Sequence, residues 1–142
     1  MKNWMSGPRG AILMTVLWVV GWGLGFGGIM EAFVDPDGKI GDIWPVMLAV
    51  PGLIGGIIFA ALLIFAERGR SFAEVPLVRF AIWGVVTGVI LGLLTIPAEV
   101  GDVRPGAAGM TAIAAALGLV SGLGCGFFYR LVSRGASSKA AA

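Results

Sequence analysis

The chain alternates four long apolar stretches with short polar connections. Each stretch has about 20 residues or more, the length that an α-helix needs to cross the hydrocarbon core of a bilayer. Charged residues lie between the stretches or at their ends, and none interrupts the middle of one. The pattern predicts an all-α integral membrane protein with four transmembrane helices. Their expected bounds are residues 10–33, 46–66, 80–100 and 110–132.

The two halves of the sequence resemble each other. Residues 10–69 and 79–135 share glycines, leucines and an aspartate at nearly constant spacing. Because each half holds two apolar stretches, two copies of a helical hairpin would have the same orientation in the membrane. We therefore predict a single four-span domain over residues 1–142, built from two tandem hairpins. The matched pairs include Gly21 with Gly88, Gly25 with Gly92, Asp35 with Asp102, Gly52 with Gly118 and Gly56 with Gly122.

Glycine recurs every fourth residue inside all four stretches. On an α-helix this spacing places the glycines on one face, where a neighbouring backbone can approach closely. We predict that such stripes pack the hairpins, although they could also accept a partner's helix, a lipid tail or an isoprenoid chain. Gly23, Gly27 and Gly28 lie on another face of the first helix and suggest partners beyond the bundle. The predicted helix-packing glycines are Gly21, Gly25, Gly52, Gly56, Gly84, Gly88, Gly92, Gly118, Gly122 and Gly126.

Basic residues are concentrated on one side of the predicted bundle. Eight of the ten Lys and Arg residues lie at the termini or beside the connection between the second and third stretches. Because basic residues near span ends are retained in the cytoplasm, both termini should be cytoplasmic, in a membrane of the bacterial inner type. Such a face meets anionic lipid headgroups, and nothing indicates nucleic acid. The predicted lipid contacts are Arg68, Arg70, Arg79, Arg130 and Arg134.

Two tryptophans stand one helical turn apart in the middle of the first stretch. An indole N–H at membrane depth needs an acceptor, so Trp18 and Trp22 either pack internally or against lipid, or contact a cofactor or a partner subunit. We expect Ser121 to bond its own helix backbone. Glu67 should be a solvated carboxylate at a helix end.

The connection between the second and third stretches should form a short surface helix ended by Pro76, with Phe72 and Val75 in the membrane interface. The sequence after residue 133 is low in complexity and predicts no fixed structure.

Candidate chemistry is sparse. The chain has no histidine, which removes the commonest general base and the preferred ligand of transition metals. The single cysteine, Cys125, offers neither a disulfide within the chain nor a pair of metal ligands. We therefore expect no catalytic residue, no metal site and no cofactor, and do not expect an enzyme.

These observations favour a non-catalytic accessory subunit that packs against a larger integral membrane complex. Energy-converting complexes, photosynthetic or respiratory, are one possible setting. A small oligomeric transporter or channel is an alternative, because paired hairpins can form a pathway between copies. A lipid-binding protein that organises the membrane is a second alternative. The expected partners are membrane lipids and other membrane-protein subunits.

Overall fold

The fold is all-helical across the residues that the computed structural model describes, which are 8–34, 36–37, 44–67, 70, 72–95 and 107–140. No strand occurs within these ranges. The helices are α1 (Pro8–Val20), a π-helical segment (Gly21–Gly27), α2 (Gly28–Val34), α3 (Trp44–Ala66), a 3₁₀ turn (Phe72–Glu74), α4 (Leu77–Thr95) and α5 (Ala107–Ala140).

Within the ranges that the structure describes, four helical stretches are long and apolar enough to cross a membrane, as the sequence predicted. The predicted all-α class is therefore confirmed in the described residues, and the four candidate spans suggest a multi-pass membrane protein. The first span joins α1, the π segment and α2 without a break. The spans run over Arg9–Phe33, Trp44–Ala66, Leu77–Leu94 and Ala108–Val132.

The main differences from the predicted helix bounds lie in the third and fourth spans. The third span begins at Leu77, directly after Pro76, because proline tolerates the first turn of a helix, where its missing N–H is not needed. The fourth helix continues to Ala140, so the prediction of an unstructured tail was wrong. Alanine, lysine and arginine favour helix, and extending an existing helix avoids the cost of nucleation. The predicted end of the third span, residues 96–100, lies outside the described residues.

The first span and α3 form an antiparallel hairpin in which tryptophans lie over glycines. An added Cβ on Gly52 would lie 2.8 Å from the Cβ of Trp22, and one on Gly56 would lie 2.8 Å from the Cα of Thr15. Further along, Gly27 lies against the backbone of Pro45. The glycines of each helix thus make room for the side chains and backbone of the other helix.

The hairpin of α4 and α5 is packed backbone to backbone. An added Cβ on Gly84 would collide with the carbonyl oxygen of Gly118, and the reverse also holds. At one end of this contact, a Cβ on Gly92 would lie 2.7 Å from the Cα of Thr111. Gly122 likewise lies against the carbonyl of Phe80. At each of these glycines the nearest atom of the neighbouring helix is a backbone atom.

Side chains, rather than bare backbone, join the two hairpins. The rings of Phe59 and Phe80 have centroids 6.3 Å apart, which links α3 to α4. Leu91 of α4 reaches Gly55 of α3, where an added Cβ would lie 2.7 Å from its Cδ1. Trp18 is fully buried among these groups. The core of the molecule therefore lies where the two hairpins meet.

The π segment changes which glycines of the first span face α3. Each π-helical hydrogen bond spans five residues instead of four, so the inward face falls behind the α-helical spacing. A Cβ added to Gly23 would lie 3.3 Å from the Cβ of Ala49. A Cβ added to Gly21 or Gly25 would have no heavy atom within 4 Å. Gly21 and Gly25 therefore do not lie against α3, and their predicted role in helix packing stays a prediction.

Candidate functional site

An apolar cleft of about 400 Å³ lies between the two hairpins, in the half of the bundle farther from the 67–76 connection. The π segment supplies Trp22 and Phe26, and α2 supplies Ile29 and Met30. Helices α3, α4 and α5 complete the wall of the cleft. They contribute Trp44, Leu48 and Pro51 of α3, Leu91 of α4, and Met110, Ile113, Ala114 and Leu117 of α5.

Trp22 links the wall of this cleft to the fourth span. Its indole N–H donates a hydrogen bond of 2.9 Å to the hydroxyl oxygen of Ser121. Sequence reasoning had assigned Ser121 to its own backbone, because nothing in the sequence shows which hydroxyl meets the indole. The bond satisfies a donor that would be costly to leave unpaired at membrane depth.

Trp18 and Trp22 belong to one stack of aromatic rings. Their centroids lie 5.9 Å apart with the planes 14° from parallel, and Trp18 also contacts Phe59 at 5.2 Å. Both tryptophans are buried, at 0% and 4% exposure. The structure places Trp18 inside the bundle, whereas Trp22 lies at the boundary between the core and the cleft.

Among the residues that the structure describes, the buried indole N–H groups of Trp18 and Trp44 have no hydrogen-bond partner. Trp18 is enclosed by the aromatic stack, where its ring contacts compensate in part. Trp44 begins α3 and lines the cleft. Each of these two nitrogens has less than 1 Å² of exposed surface, so neither N–H is open to the cleft.

The opposite end of the bundle holds an ion pair that the sequence analysis missed. Glu67 has a side chain only 2% exposed, and Arg79 donates to its two carboxylate oxygens at 2.7 and 2.9 Å. Arg70 lies 3.6 Å from the same carboxylate. The expectation of a solvated Glu67 was therefore wrong. The signal in the sequence was weak, because twelve residues separate Glu67 from Arg79 across a connection of unknown path.

The 3₁₀ turn lies between Glu67 and Arg79 in the sequence and packs against α5. Phe72 and Val75 are buried against the rest of the bundle, so neither side chain is free to enter lipid at the membrane interface as predicted. Phe72 meets Tyr129 of α5 edge to face, with centroids 6.0 Å apart. Arg130 donates from Nη2 to the carbonyl oxygen of Val75 at 3.3 Å. The connection is thus fastened to α5 as well as to α4.

The predicted lipid-contacting arginines have different surroundings. Arg70 and Arg79 have side chains 54% and 46% exposed, and both approach Glu67. Arg130 is half-buried. Arg68 lies outside the described residues, and the side chain of Arg134 does too. Arg79 is therefore shared between a structural role and any contact with lipid.

Groups that could ligate a metal do not converge in the described part of the chain: no three His, Cys, Asp or Glu side chains come together there. Cys125 is buried in α5. The cleft wall is almost wholly apolar, so its chemistry suits a hydrocarbon group rather than an ion or a sugar.

No protein-family model, curated protein or solved structure matches this chain.

Proposed function

We propose that this protein is a non-catalytic accessory subunit that packs against a larger complex in the membrane. The observation that supports the proposal is the outward-facing glycine surface of the first span. At Gly21, Gly25 and Gly28, an added Cβ would meet no heavy atom within 4 Å. Small residues on a lipid-facing helix let a second helix approach backbone to backbone.

The residues beside these glycines are large and apolar. Leu24 is 70% exposed and Ile29 is 53% exposed, so the outward glycines form a depression between projecting side chains. Depressions of this form receive the ridge of a neighbouring helix. An energy-converting complex, photosynthetic or respiratory, is the setting that we favour by analogy only.

The bundle itself is proposed to be held by its inward glycines, which act as a packing device and carry no chemistry. We place both termini in the cytoplasm of a bacterial-type cell, on the basis of the Lys and Arg bias. In that orientation the half-exposed guanidinium groups of Arg70 and Arg79 lie at the level of the inner headgroups. They would contact anionic lipid there.

A matched pair of glycine substitutions tests the proposal. Gly25→Leu adds bulk to the outward surface of the first span, and Gly124→Leu adds the same bulk at an open position of α5. An added Cβ at either position meets no heavy atom within 4 Å, so we expect both variants to fold. We expect Gly25→Leu to abolish co-migration with larger membrane subunits in native electrophoresis after gentle detergent extraction, while Gly124→Leu co-migrates like the wild type.

Equal behaviour of the two variants would contradict the proposed surface. A wild-type protein that migrates only as a homo-oligomer, and that moves a solute across liposome membranes, would replace this proposal with the transporter or channel alternative.

A further inference from the structure

Two arginines approach one buried carboxylate at the end of the bundle where α3 ends and α4 begins. Nη1 of Arg79 lies 2.7 and 2.9 Å from the two oxygens of Glu67, and Nη1 of Arg70 lies 3.6 Å from Oε2 of the same group. The Glu67 side chain is 2% exposed, whereas those of Arg79 and Arg70 are 46% and 54% exposed. The cluster is therefore closed on the side of the carboxylate and open on the side of the two guanidinium groups.

Arg79 uses only part of its hydrogen-bonding capacity on Glu67. Both bonds come from one nitrogen, Nη1, and in the described part of the chain no acceptor approaches Nε or Nη2. The N–H groups of Nε and Nη2 leave one edge of the guanidinium plane in parallel, as a fork that matches two oxygens of a carboxylate or a phosphate. The edge of Arg79 that suits a second anion is therefore not used by the protein.

Arg70 gives the cluster an excess of positive charge. At 3.6 Å its Nη1 attracts the carboxylate but is too far from Oε2 for a hydrogen bond. Because two guanidinium groups face one carboxylate, the three side chains together carry a net positive charge. Glu74 of the 3₁₀ turn is exposed, and the described structure shows no ion pair between it and either arginine. The cluster is thus complementary to a further anion.

Arg79 is held in place at its backbone and at its guanidinium group. It belongs to the first turn of α4, where its backbone N–H donates to the Pro76 carbonyl oxygen at 2.9 Å. The 3₁₀ turn before α4 is fastened to α5 by the bond from Arg130 to the Val75 carbonyl. Glu67 fixes the guanidinium group from the buried side. A ligand that binds a side chain arranged in advance has less conformational entropy to lose.

The cluster lies at the depth of the lipid phosphates. Glu67 directly follows the membrane-spanning stretch Trp44–Ala66, and Arg79 is in the first turn of the stretch Leu77–Leu94. Side chains at the ends of spans lie in the polar headgroup layer that borders the hydrocarbon core. Phospholipids carry their phosphodiester groups in this layer, so phosphate is the anion that the exposed guanidinium groups meet.

We propose that Arg70 and Arg79 bind the phosphodiester group of one anionic phospholipid. This inference rests on the lipid contact proposed above for these residues and narrows it to a single site. The fork of Nε and Nη2 on Arg79 donates to two phosphate oxygens, and Arg70 supplies the second positive charge. A headgroup without an ammonium group, such as that of phosphatidylglycerol, is favoured because it brings no further positive charge to the cluster.

Native mass spectrometry of the full chain tests the lipid preference. The protein is released from vesicles of equimolar phosphatidylglycerol and phosphatidylethanolamine, and the lipid that stays bound is identified. We expect one phosphatidylglycerol per chain, favoured about fivefold, since one charge contact near the membrane surface contributes about 1 kcal/mol. Equal retention of the two lipids, or no retained lipid, would overturn the proposal.

A change from arginine to lysine separates this site from diffuse attraction by positive charge. Arg79→Lys keeps the charge and a donor for Glu67 but removes the fork, so retained phosphatidylglycerol should fall to about one fifth of the wild-type amount. Arg9→Lys, at an exposed arginine in the first turn of α1, is the matched control and should retain the lipid. Equal retention by the two variants would contradict a site at Arg79.

Arg70→Gln provides a second test that leaves the bonds between Arg79 and Glu67 intact. The cluster becomes neutral, so the preference for phosphatidylglycerol should fall to about twofold or less. Arg9→Gln removes an equal charge from the start of α1 and should leave the preference unchanged. An equal fall in both variants would contradict the site.

Inorganic phosphate distinguishes a bound lipid from a soluble ligand. Added to the lipid-bound protein in detergent, it should release no more phosphatidylglycerol than sodium chloride does at equal ionic strength, because the acyl chains keep the headgroup beside the site. Greater release by phosphate would indicate a soluble anion and overturn the proposal. The lipid is counted on the isolated protein, so this site can fail while the co-migration test of the subunit role succeeds, and the reverse.

Discussion

Gly88 shows how closely two backbones approach in this protein. A Cβ added at this position would collide with the carbonyl oxygen of Ala114 and lie 2.8 Å from the Cα of Ala115. These are backbone atoms on a neighbouring helix, so no side-chain rotation can relieve the collision. The adjacent Thr87 is equally buried but depends only on its own helix, since its hydroxyl donates to the Trp83 carbonyl at 2.8 Å.

The comparison of Gly88→Leu with Thr87→Ala follows from this difference. We expect Gly88→Leu to lower the free energy of unfolding by about 3 kcal/mol or more, because α4 and α5 must separate. Thr87→Ala should cost about 1 kcal/mol, as hydroxyl bonds in membrane helices contribute little. Unfolding in mixed micelles by titration with sodium dodecyl sulfate measures both. Similar small losses for the two variants would contradict the close backbone contact.

At the scale of residues, spacing alone was only partly informative. The recurrence at every fourth residue selects Gly84 and Gly88, which lie against α5, but it also selects Gly21 and Gly25, which face outward. The difference arises from the π segment, which no composition or spacing reveals. The bond between Trp22 and Ser121 was likewise beyond prediction, because it joins residues 99 positions apart.

At the scale of elements, the short link between α3 and α4 is fixed by charge. Glu67 follows the last residue of α3, and Arg79 lies in the first turn of α4. A carboxylate with 2% exposure needs its partner, because burying an unpaired charge is costly. Arg70 is more distant and more exposed, so its contribution should be small.

Replacing each arginine by glutamine separates the two contributions. We expect Arg79→Gln to lower the free energy of unfolding by about 1–3 kcal/mol, since it leaves the Glu67 carboxylate without its charged donor. Arg70→Gln should change it by about 0.5 kcal/mol or less. The same titration in mixed micelles serves for both, and a larger loss for Arg70→Gln would contradict the assigned pairing.

The lengths of the elements were the most predictable feature. Uninterrupted apolar runs require helices in a bilayer, because every backbone N–H and C=O must be satisfied within the segment. Hydropathy therefore located the four spans. It could not show that the first span contains a π segment or that α5 continues past Val132, since both depend on backbone hydrogen bonding rather than on polarity.

At the scale of the whole molecule, two closely packed hairpins meet through a smaller set of side-chain contacts. The cleft is a result of this arrangement. The first and fourth spans are joined by the bond between Trp22 and Ser121, and the cleft lies between α2 and the part of α5 that precedes Ser121. Its walls come from residues of all four spans. A site assembled in this way has no motif, which is why sequence analysis could not find it.

Orientation in the membrane is tested by a pair of single cysteines. Asp37 lies in an exposed turn after α2, and Arg70 is exposed at the other end of the bundle. In a Cys125→Ser background, a membrane-impermeant thiol reagent added to intact cells should label Asp37→Cys and leave Arg70→Cys unlabelled. Labelling of Arg70→Cys alone would reverse the proposed orientation.

The π segment also bears on how the length of this protein can vary through evolution. A π-helical turn holds about one residue more than an α-helical turn. A descendant that lacks one residue between Gly21 and Gly27 can close the turn as ordinary α-helix and still direct Trp18 and the residues of α2 as they are now directed. A deletion within α1 would instead rotate every later residue of that helix by about 100° and destroy the aromatic stack. Insertions and deletions that natural selection tolerates in the first span should therefore be confined to these seven residues.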